Sequence, residues 1–379
     1  MAVTGAMRTM RRRMRASKAR AVAVAVVGVA MAQAAVAADW DAGGAAPWQA
    51  LLAKARQEGG LVMTLGTCPV LAELAQAFKR DTGIEATVVV GPGATVDSRY
   101  RLELQSGRLT IDVRLTGATD LDLAKSGALT ELNDLLVLPD AANPANWRGG
   151  ALAFVDNARR YMVSPSEYVT TRPLINTAQV DSAKLRSADD LLRPEFKGKI
   201  AAFDPGVPGA GQGMAAYLAH IKGIAFARSV YLGQEVVLTR DQRQLAEWVA
   251  RGTYPIALGA DVSEVQNFRR EGVSTLVTVE LSDAPGSLAG FCAVASIPKG
   301  APHPASAAVF LNWYLSQNGQ RALVRAARIP SLRIDVPAEG VPADILVKPG
   351  AAYLNQYGED WYLSVRPTLQ ADLRKALDK

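Results

Sequence analysis

Histidine and cysteine are scarce in this chain, with two of each among 379 residues. His220 and His303 have no partner at H-x-x-x-H or H-E-x-x-H spacing, which argues against a zinc hydrolase. No G-x-S-x-G elbow occurs, and no S-x-x-K tetrad accompanied by K-T-G. A Ser-His-Asp triad stays open, since its members need not be neighbours in sequence. Cys68 and Cys292 stand far apart without a C-x-x-C. An oxidising compartment permits a disulfide between them, and two buried thiols fit equally well. No apolar run reaches the 18 or so residues of a membrane span. Aromatic residues make up 6%, charged residues 21% and apolar residues 49%. That balance excludes disordered, collagenous and disulfide-framework chains, and the length leaves room for two core-bearing units.

Acidic residues are missing from one region. Between Met1 and Ala38 lie Arg8, Arg11, Arg12, Arg13, Arg15, Lys18 and Arg20, with no acid among them. Subtracting these seven from 42 basic residues leaves 35 against 36 acidic ones, a net charge of −1. The formal +6 therefore belongs to the leader and gives no reason to expect nucleic acid. An uncharged Ala/Val run from Ala21 to Ala32 follows, then the small residues Ala35-Val36-Ala37. This is the pattern of a secretory signal. Export by the general route ranks ahead of the twin-arginine route, because the residues after Arg11-Arg12-Arg13 lack the usual apolar pattern. Cleavage after Ala37 or Ala38 is expected, and an intact-mass measurement of the secreted protein checks it.

The rest of the chain repeats one unit. Trp48, Leu51, Leu52 and Ala55 fall at helical spacing and stop at Gly59-Gly60. Strands are expected at Leu61–Leu65, Ile84–Val90 and Ile111–Leu115, with helices between them. The alternation returns with a strand at Ile200–Phe203 and helices at Gly211–Lys222, Asp241–Arg251 and Asp261–Glu271, the last two flanking a strand at Pro255–Gly259. Helical pattern also covers Pro304–Ala327 and Pro367–Leu377. Such alternation implies parallel sheets with helices on their faces. The stretch Pro139–Pro173 differs in character and reads as a connector carrying Trp147, Phe154, Tyr161 and Tyr168. Asp189-Asp190 is read as a helix cap rather than a proton-sharing pair.

Two glycine-rich segments follow strands. Asp204 to Gly213 contains Gly206, Gly209, Gly211 and Gly213, and Gly91-Pro92-Gly93-Ala94-Thr95 stands at an equivalent place earlier in the chain. The first lacks the lysine of a nucleotide-phosphate loop, and counting G-x-G-x-x-G from Gly209 ends on Met214. Either could be a plain turn or an anion site built from backbone N–H groups at a helix start.

Taken in order, several segments resemble the extracellular solute-binding receptors of ABC importers, the class with ferric-ion, thiamine and phosphonate receptors. They are Ala75-Gln76-Ala77-Phe78-Lys79-Arg80-Asp81-Thr82-Gly83-Ile84, Ile111-Asp112-Val113, and Asp190 through Phe196-Lys197-Gly198-Lys199-Ile200. Leu245-Ala246-Glu247-Trp248 and Pro302-His303-Pro304 through Phe310-Leu311-Asn312-Trp313 to Gln320 complete the set. The resemblance implies an α/β, two-lobed periplasmic-binding-protein type II fold. Each lobe would hold a mixed, mostly parallel sheet flanked by helices, and crossover strands would join the lobes near 168–176 and 281–294. It implies a signal peptide over 1–38, a first lobe from 39–168 and 285–379, and a second from 169–284. A periplasmic monomer serving permease subunits in the inner membrane is implied, with no cofactor and no nucleic acid.

Aligned on the shared motifs, the iron-ligand places of the ferric receptors hold Thr67, Gly117, Val262 and Ser263, which do not suit Fe(III). No metal site is therefore expected. The cleft positions hold Thr67, Gly93, Thr95, Thr116, Tyr168, Gly209, Gly211, Gln212, Arg240 and Asp261. This set suits a small organic anion held by helix N-termini and Arg240, with Asp261 facing an amino group. The alternatives are a ferric receptor of the same family, a two-lobed secreted enzyme and a sensor-coupled binding module. For the enzyme, Cys68 is the one candidate and has no adjacent base.

Overall fold

The structure, a computed structural model, describes residues 45–65, 71–91, 93–290 and 293–378. The leader, Thr67, Cys68 and Cys292 lie outside these residues. Helices of eight or more residues are labelled. Helix α1 (Ala46–Glu58) buries Trp48, Leu52 and Ala55 and ends at Gly59, whose φ of 84° suits a residue without Cβ. There follow β1 (Leu61–Leu65), α2 (Leu71–Thr82), β2 (Ala86–Val89), α3 (Gly93–Ser106) and β3 (Val113–Thr116). Next come β4 (Tyr168–Thr170), β5 (Leu174–Asn176), β6 (Ile200–Phe203), α4 (Ala210–Lys222), β7 (Val237–Thr239), α5 (Gln242–Arg251), β8 (Ile256–Leu258), α6 (Val262–Arg270) and β9 (Leu276–Thr278). The chain closes with β10 (Ser287–Ala289), β11 (Val294–Ser296), α7 (Pro304–Leu315), α8 (Gln317–Ala327), β12 (Leu354–Asn355) and α9 (Arg366–Leu377).

Three sheets result. The first has order β11-β3-β1-β2, parallel except where β11 runs against β3. The second has order β7-β6-β8-β5-β9, and here β5 runs against both its neighbours. Parallel and antiparallel pairings are thus equal in number in the second sheet, which is mixed rather than mostly parallel. A third, small sheet lies between them in the order β12-β10-β4. The chain leaves the first sheet, passes through β4 to the second, and returns through β10 to β11. A third pass, β12, pairs with β10 and has no counterpart in the sequence pattern.

Local chemistry explains most departures from the sequence reading. The strand expected at Ile111–Leu115 begins only at Val113, because Asp112 is diverted to other work. Its buried carboxylate accepts from Val62 N at 2.8 Å and His303 N at 2.7 Å, and lies 2.9 Å from His303 Nδ1. His303 is thereby a tie between β1 and the start of α7. The helical pattern over Pro304–Ala327 is two helices. Ser316 is extended and caps α8 by accepting from Gly319 N at 3.2 Å. A Cβ on Gly319 would come within 2.0 Å of the Trp313 carbonyl oxygen, so the two helices meet end to end. Asp190 does cap, accepting from the backbone N–H groups of Arg186 and Ser187 at 2.9 Å each.

The first core gathers Trp48, Phe78, Phe310 and Trp313 between the first sheet and helices α1, α2 and α7. Within it Asn312 is fully buried yet satisfied. It donates to Leu135 O and Ala308 O and accepts from Val137 N and Leu138 N. The second core packs around β6, β8 and α4. It also takes in Trp361 and Leu373, so α9 lies against α4. The expected assignment of everything after 285 to the first lobe therefore fails at the C-terminus. The Leu369, Leu373 and Leu377 face is covered by the second lobe.

Candidate ligand site

The site is approached from the C-terminal ends of the parallel strands, where ligands of open α/β sheets collect. On the first lobe, Gly93 and exposed Thr95 open α3, and buried Thr116 ends β3. Behind them lies a buried ion network. Arg114, 1% exposed, donates to Asp120 from Nε at 2.8 Å and from Nη2 at 2.9 Å, and to Asp97 at 2.6 Å. Its guanidinium lies 4.1 Å from the ring centre of Tyr100, and Ser296 Oγ adds a 2.9 Å bond to Asp120. These partners offset burial and hold Arg114 protonated.

On the second lobe the glycine turn is built for close approach. Gly209 has a φ of 138°. A Cβ on Gly211 would meet the Phe203 carbonyl oxygen at 2.2 Å, and one on Gly259 would meet Gly211 Cα at 2.6 Å. Gly211 is thus needed so that α4 can start hard against β6 and the β8 turn. The sequence reading took it as open backbone facing a ligand, and the structure gives it a packing role. Gly211→Ala is expected to destabilise by about 1–3 kcal/mol through overpacking, checked by urea unfolding.

Arg240 is paired with an acid in this arrangement. Its side chain is 75% exposed and its Nε donates to Asp204 Oδ2 at 2.8 Å, the acid that also accepts from Gly206 N. Asp261 is the N-cap of α6, accepting from Ser263 N at 2.8 Å and from the Ser263 hydroxyl. Its own N–H donates to Gln242 at 2.9 Å. Ser263 and Val262 therefore belong to a cap and a helix start.

The cation at this junction comes from the C-terminal segment. Arg366 donates to Gln212 Oε1 at 2.7 Å and stacks 4.6 Å from the Tyr362 ring centre. Gln356 donates to Gly213 O at 3.1 Å, so the same segment holds the first turn of α4 at two points. Its other face reaches the first lobe. Tyr357, Tyr362 and Leu363 pack on the cluster around Tyr100, and Glu359 accepts from Asn157 N at 2.8 Å and pairs with Lys125 at 3.0 Å. Burial pushes the Tyr362 hydroxyl up, Arg366 pulls it down, and Asp97 and Asp120 push it up again. The N-terminal part of α3 and that of α4 therefore both face this segment.

Tyr168 completes the junction. It is 4% exposed on β4, and burial first, then Tyr357 and Asp261, raise its proton affinity. Tyr357 is raised chiefly by burial. Tyr168 and Asp261 thus stand near Tyr357, Gln212 is tied to Arg366 beside Tyr362, Gly211 packs against Phe203 and Gly259, and Arg240 is paired with Asp204. The aromatic spacing Tyr353, Tyr357, Trp361 and Tyr362 was the sequence signal for Tyr357, Tyr362 and Arg366. It carried no place in the expected cleft because the segment read as the tail of the first lobe. Among the described residues no cluster of three His, Cys, Asp or Glu side chains could hold a metal ion.

A two-lobed α/β molecule with polar groups at facing strand ends defines a class, the binding proteins that take a solute between lobes. The family model for bacterial extracellular solute-binding proteins matches residues 61–326, and the chain belongs to that family. Solved structures agree on the fold. Iron-bound HitA from Pseudomonas aeruginosa is 20% identical, with a TM-score of 0.62, covering 83% of this chain and 99% of its own. The periplasmic binding protein AfuA from Actinobacillus pleuropneumoniae, with exogenous fructose-6-phosphate bound, is 19% identical at a TM-score of 0.62, covering 84% and 98%. The ferric binding protein from Campylobacter jejuni is 16% identical at 0.57, covering 84% and 97%. No curated protein matches the chain. The fold is the periplasmic-binding-protein type II fold that the sequence resemblance implied.

Proposed function

We propose that the protein is the substrate-binding receptor of an ABC importer, exported to the periplasm, where it closes on a small organic anion and hands it to a permease. Residues 45–168 and 285–353 form the first lobe in this reading, and 169–284 with 354–378 form the second. The observation that carries the anion is Arg366, a guanidinium set on Tyr362 and bonded to Gln212 at the first turn of α4. A cation beside backbone N–H groups at a helix start is chemistry for carboxylate or phosphate. The fructose-6-phosphate held by AfuA is a cargo of that kind. The assignment carries no catalysis: His303 is tied to Asp112, and His220 packs edge-on against Trp361.

One observation favours a second reading, ferric ion. Burial first, and then Asp261, raises the proton affinity of both Tyr168 and Tyr357, so the three oxygens stand near one another, and hard Fe(III) takes anionic oxygens. Against it, both phenols are held protonated by burial, and Asp261 already caps α6. Native mass spectrometry of protein purified without refolding is expected to release an organic anion. Ferric titration of the stripped protein is expected to stay colourless. A visible tyrosinate band with tight binding would transfer the assignment to iron.

A further inference from the structure

Polar contacts between the lobes are not confined to Arg366 and its neighbours. A second set joins two acids of the C-terminal segment to a turn of the first lobe. The acids are anchored on the second lobe. Trp361 is buried in its core and meets His220 edge-on with ring centres 4.8 Å apart, and Gln356 donates to Gly213 O at 3.1 Å. Asn355 Oδ1 accepts from Tyr357 N at 3.1 Å and Gly358 N at 2.9 Å, a side-chain turn that fixes the backbone just before Glu359 and Asp360.

The first lobe meets these acids with a turn that is rigid on its own account. Asp156 is 2% exposed, and its carboxylate accepts from Arg160 N at 2.9 Å, Tyr161 N at 3.2 Å and Met162 N at 2.9 Å. Arg159 has a φ of 55°, uncommon for a residue with a side chain, and its N–H donates to Asp156 O at 2.9 Å. The turn takes up the N–H groups of 159 to 162, and that of Asn157 goes to the other lobe. Asn157 N donates to Glu359 Oε2 at 2.8 Å, and its Nδ2 donates to Asp360 Oδ1 at 3.0 Å. Lys125 Nζ, at the end of the short helix 121–125, lies 3.0 Å from Glu359 Oε1. Bonds to ionised groups are the stronger kind, and parting the lobes must break all three. A closed arrangement held in this way leaves less of the closing free energy for a solute to supply.

We propose that Glu359 and Asp360, with Lys125 and Asn157, form an interlobe latch that populates the closed arrangement before any solute arrives. The two acids are positioning residues, acting through lobe geometry and not by touching the solute. The inference rests on the two-lobed receptor reading above and is independent of the solute's chemistry. The test is small-angle scattering of the mature protein stripped of solute. Sodium chloride is set at about 0.01 M and about 1 M, where charges are screened over about 30 Å and 3 Å. The wild type is expected to be compact at low salt, with the radius of gyration of the closed structure, and larger at high salt. Lys125→Glu sets two acids against each other on the surface and should be expanded already at low salt. Exchanging the charges, Lys125→Glu with Glu359→Lys, should recover part of the compaction. Asp360→Ala should expand the protein without altering the Lys125 pair, so the test survives a misfolded charge variant. A wild type expanded at low salt would overturn the latch. So would single variants as compact as the wild type, or an exchange variant no more compact than Lys125→Glu. Native mass spectrometry decides the solute separately: a compact stripped protein that releases iron would keep the latch and end the organic-anion reading.

Discussion

Arg114→Ala is expected to lower the free energy of unfolding by about 3–5 kcal/mol, the largest stability loss of any single change considered. The reason is what the change leaves behind. Asp120 is 1% exposed and keeps only the Ser296 hydroxyl, while Asp97 loses its 2.6 Å partner. An uncompensated buried carboxylate must either stay charged in a poor dielectric or take up a proton. Adding Asp120→Asn to Arg114→Ala should therefore recover part of the loss, because the orphaned charge goes with it. Urea unfolding at neutral pH measures both. A loss below about 1 kcal/mol for the single variant would show the network to be solvated.

Arg366→Ala is expected to weaken binding of the native solute about tenfold or more, the value of a charge-assisted hydrogen bond to an anion. Arg240→Ala should change affinity little, since exposed ion pairs such as that with Asp204 contribute at most about 1 kcal/mol. The pair of variants separates the site indicated by the C-terminal segment from the one inferred from the glycine turn. Titration with the anion released in native mass spectrometry gives both numbers. If Arg240→Ala carries the large loss and Arg366→Ala none, the cation has been assigned to the wrong side chain.

Much of the fold was legible because its causes are local. The strand at Ile200–Phe203 and the helix ending at Gly59 follow from apolar runs and a glycine stop, and their bounds agree with the structure. Helices were expected from Asp241 and from Asp261, and the structure makes each of these acids the N-cap of its helix, which leaves Asp261 bonded to Ser263 rather than open to a ligand amino group. The candidate site was only partly legible because its decisive contacts join distant parts of the chain. Arg366 meets Gln212 across 154 residues, and no local pattern records that. Arg114 sits inside a strand of apolar pattern, and nothing around it in sequence shows that it points at Asp120 rather than at water. Gly211 was placed rightly at a helix start. Its reason, the approach to Phe203, needed the neighbouring strand in view.

The third crossing, β12, has a mechanical consequence. Two chain passes between rigid bodies permit both bending and twisting, as a pair of cords would. Here Ser287 and Leu288 of β10 are flanked by Thr170 and Val169 on one side and by Leu354 and Asn355 on the other. A torque that turned one lobe across the other would have to shear hydrogen bonds along that ribbon. Folding the lobes together only flexes each strand about a common line. Closure on a cargo is therefore expected to follow one axis, with the ribbon fixing its direction.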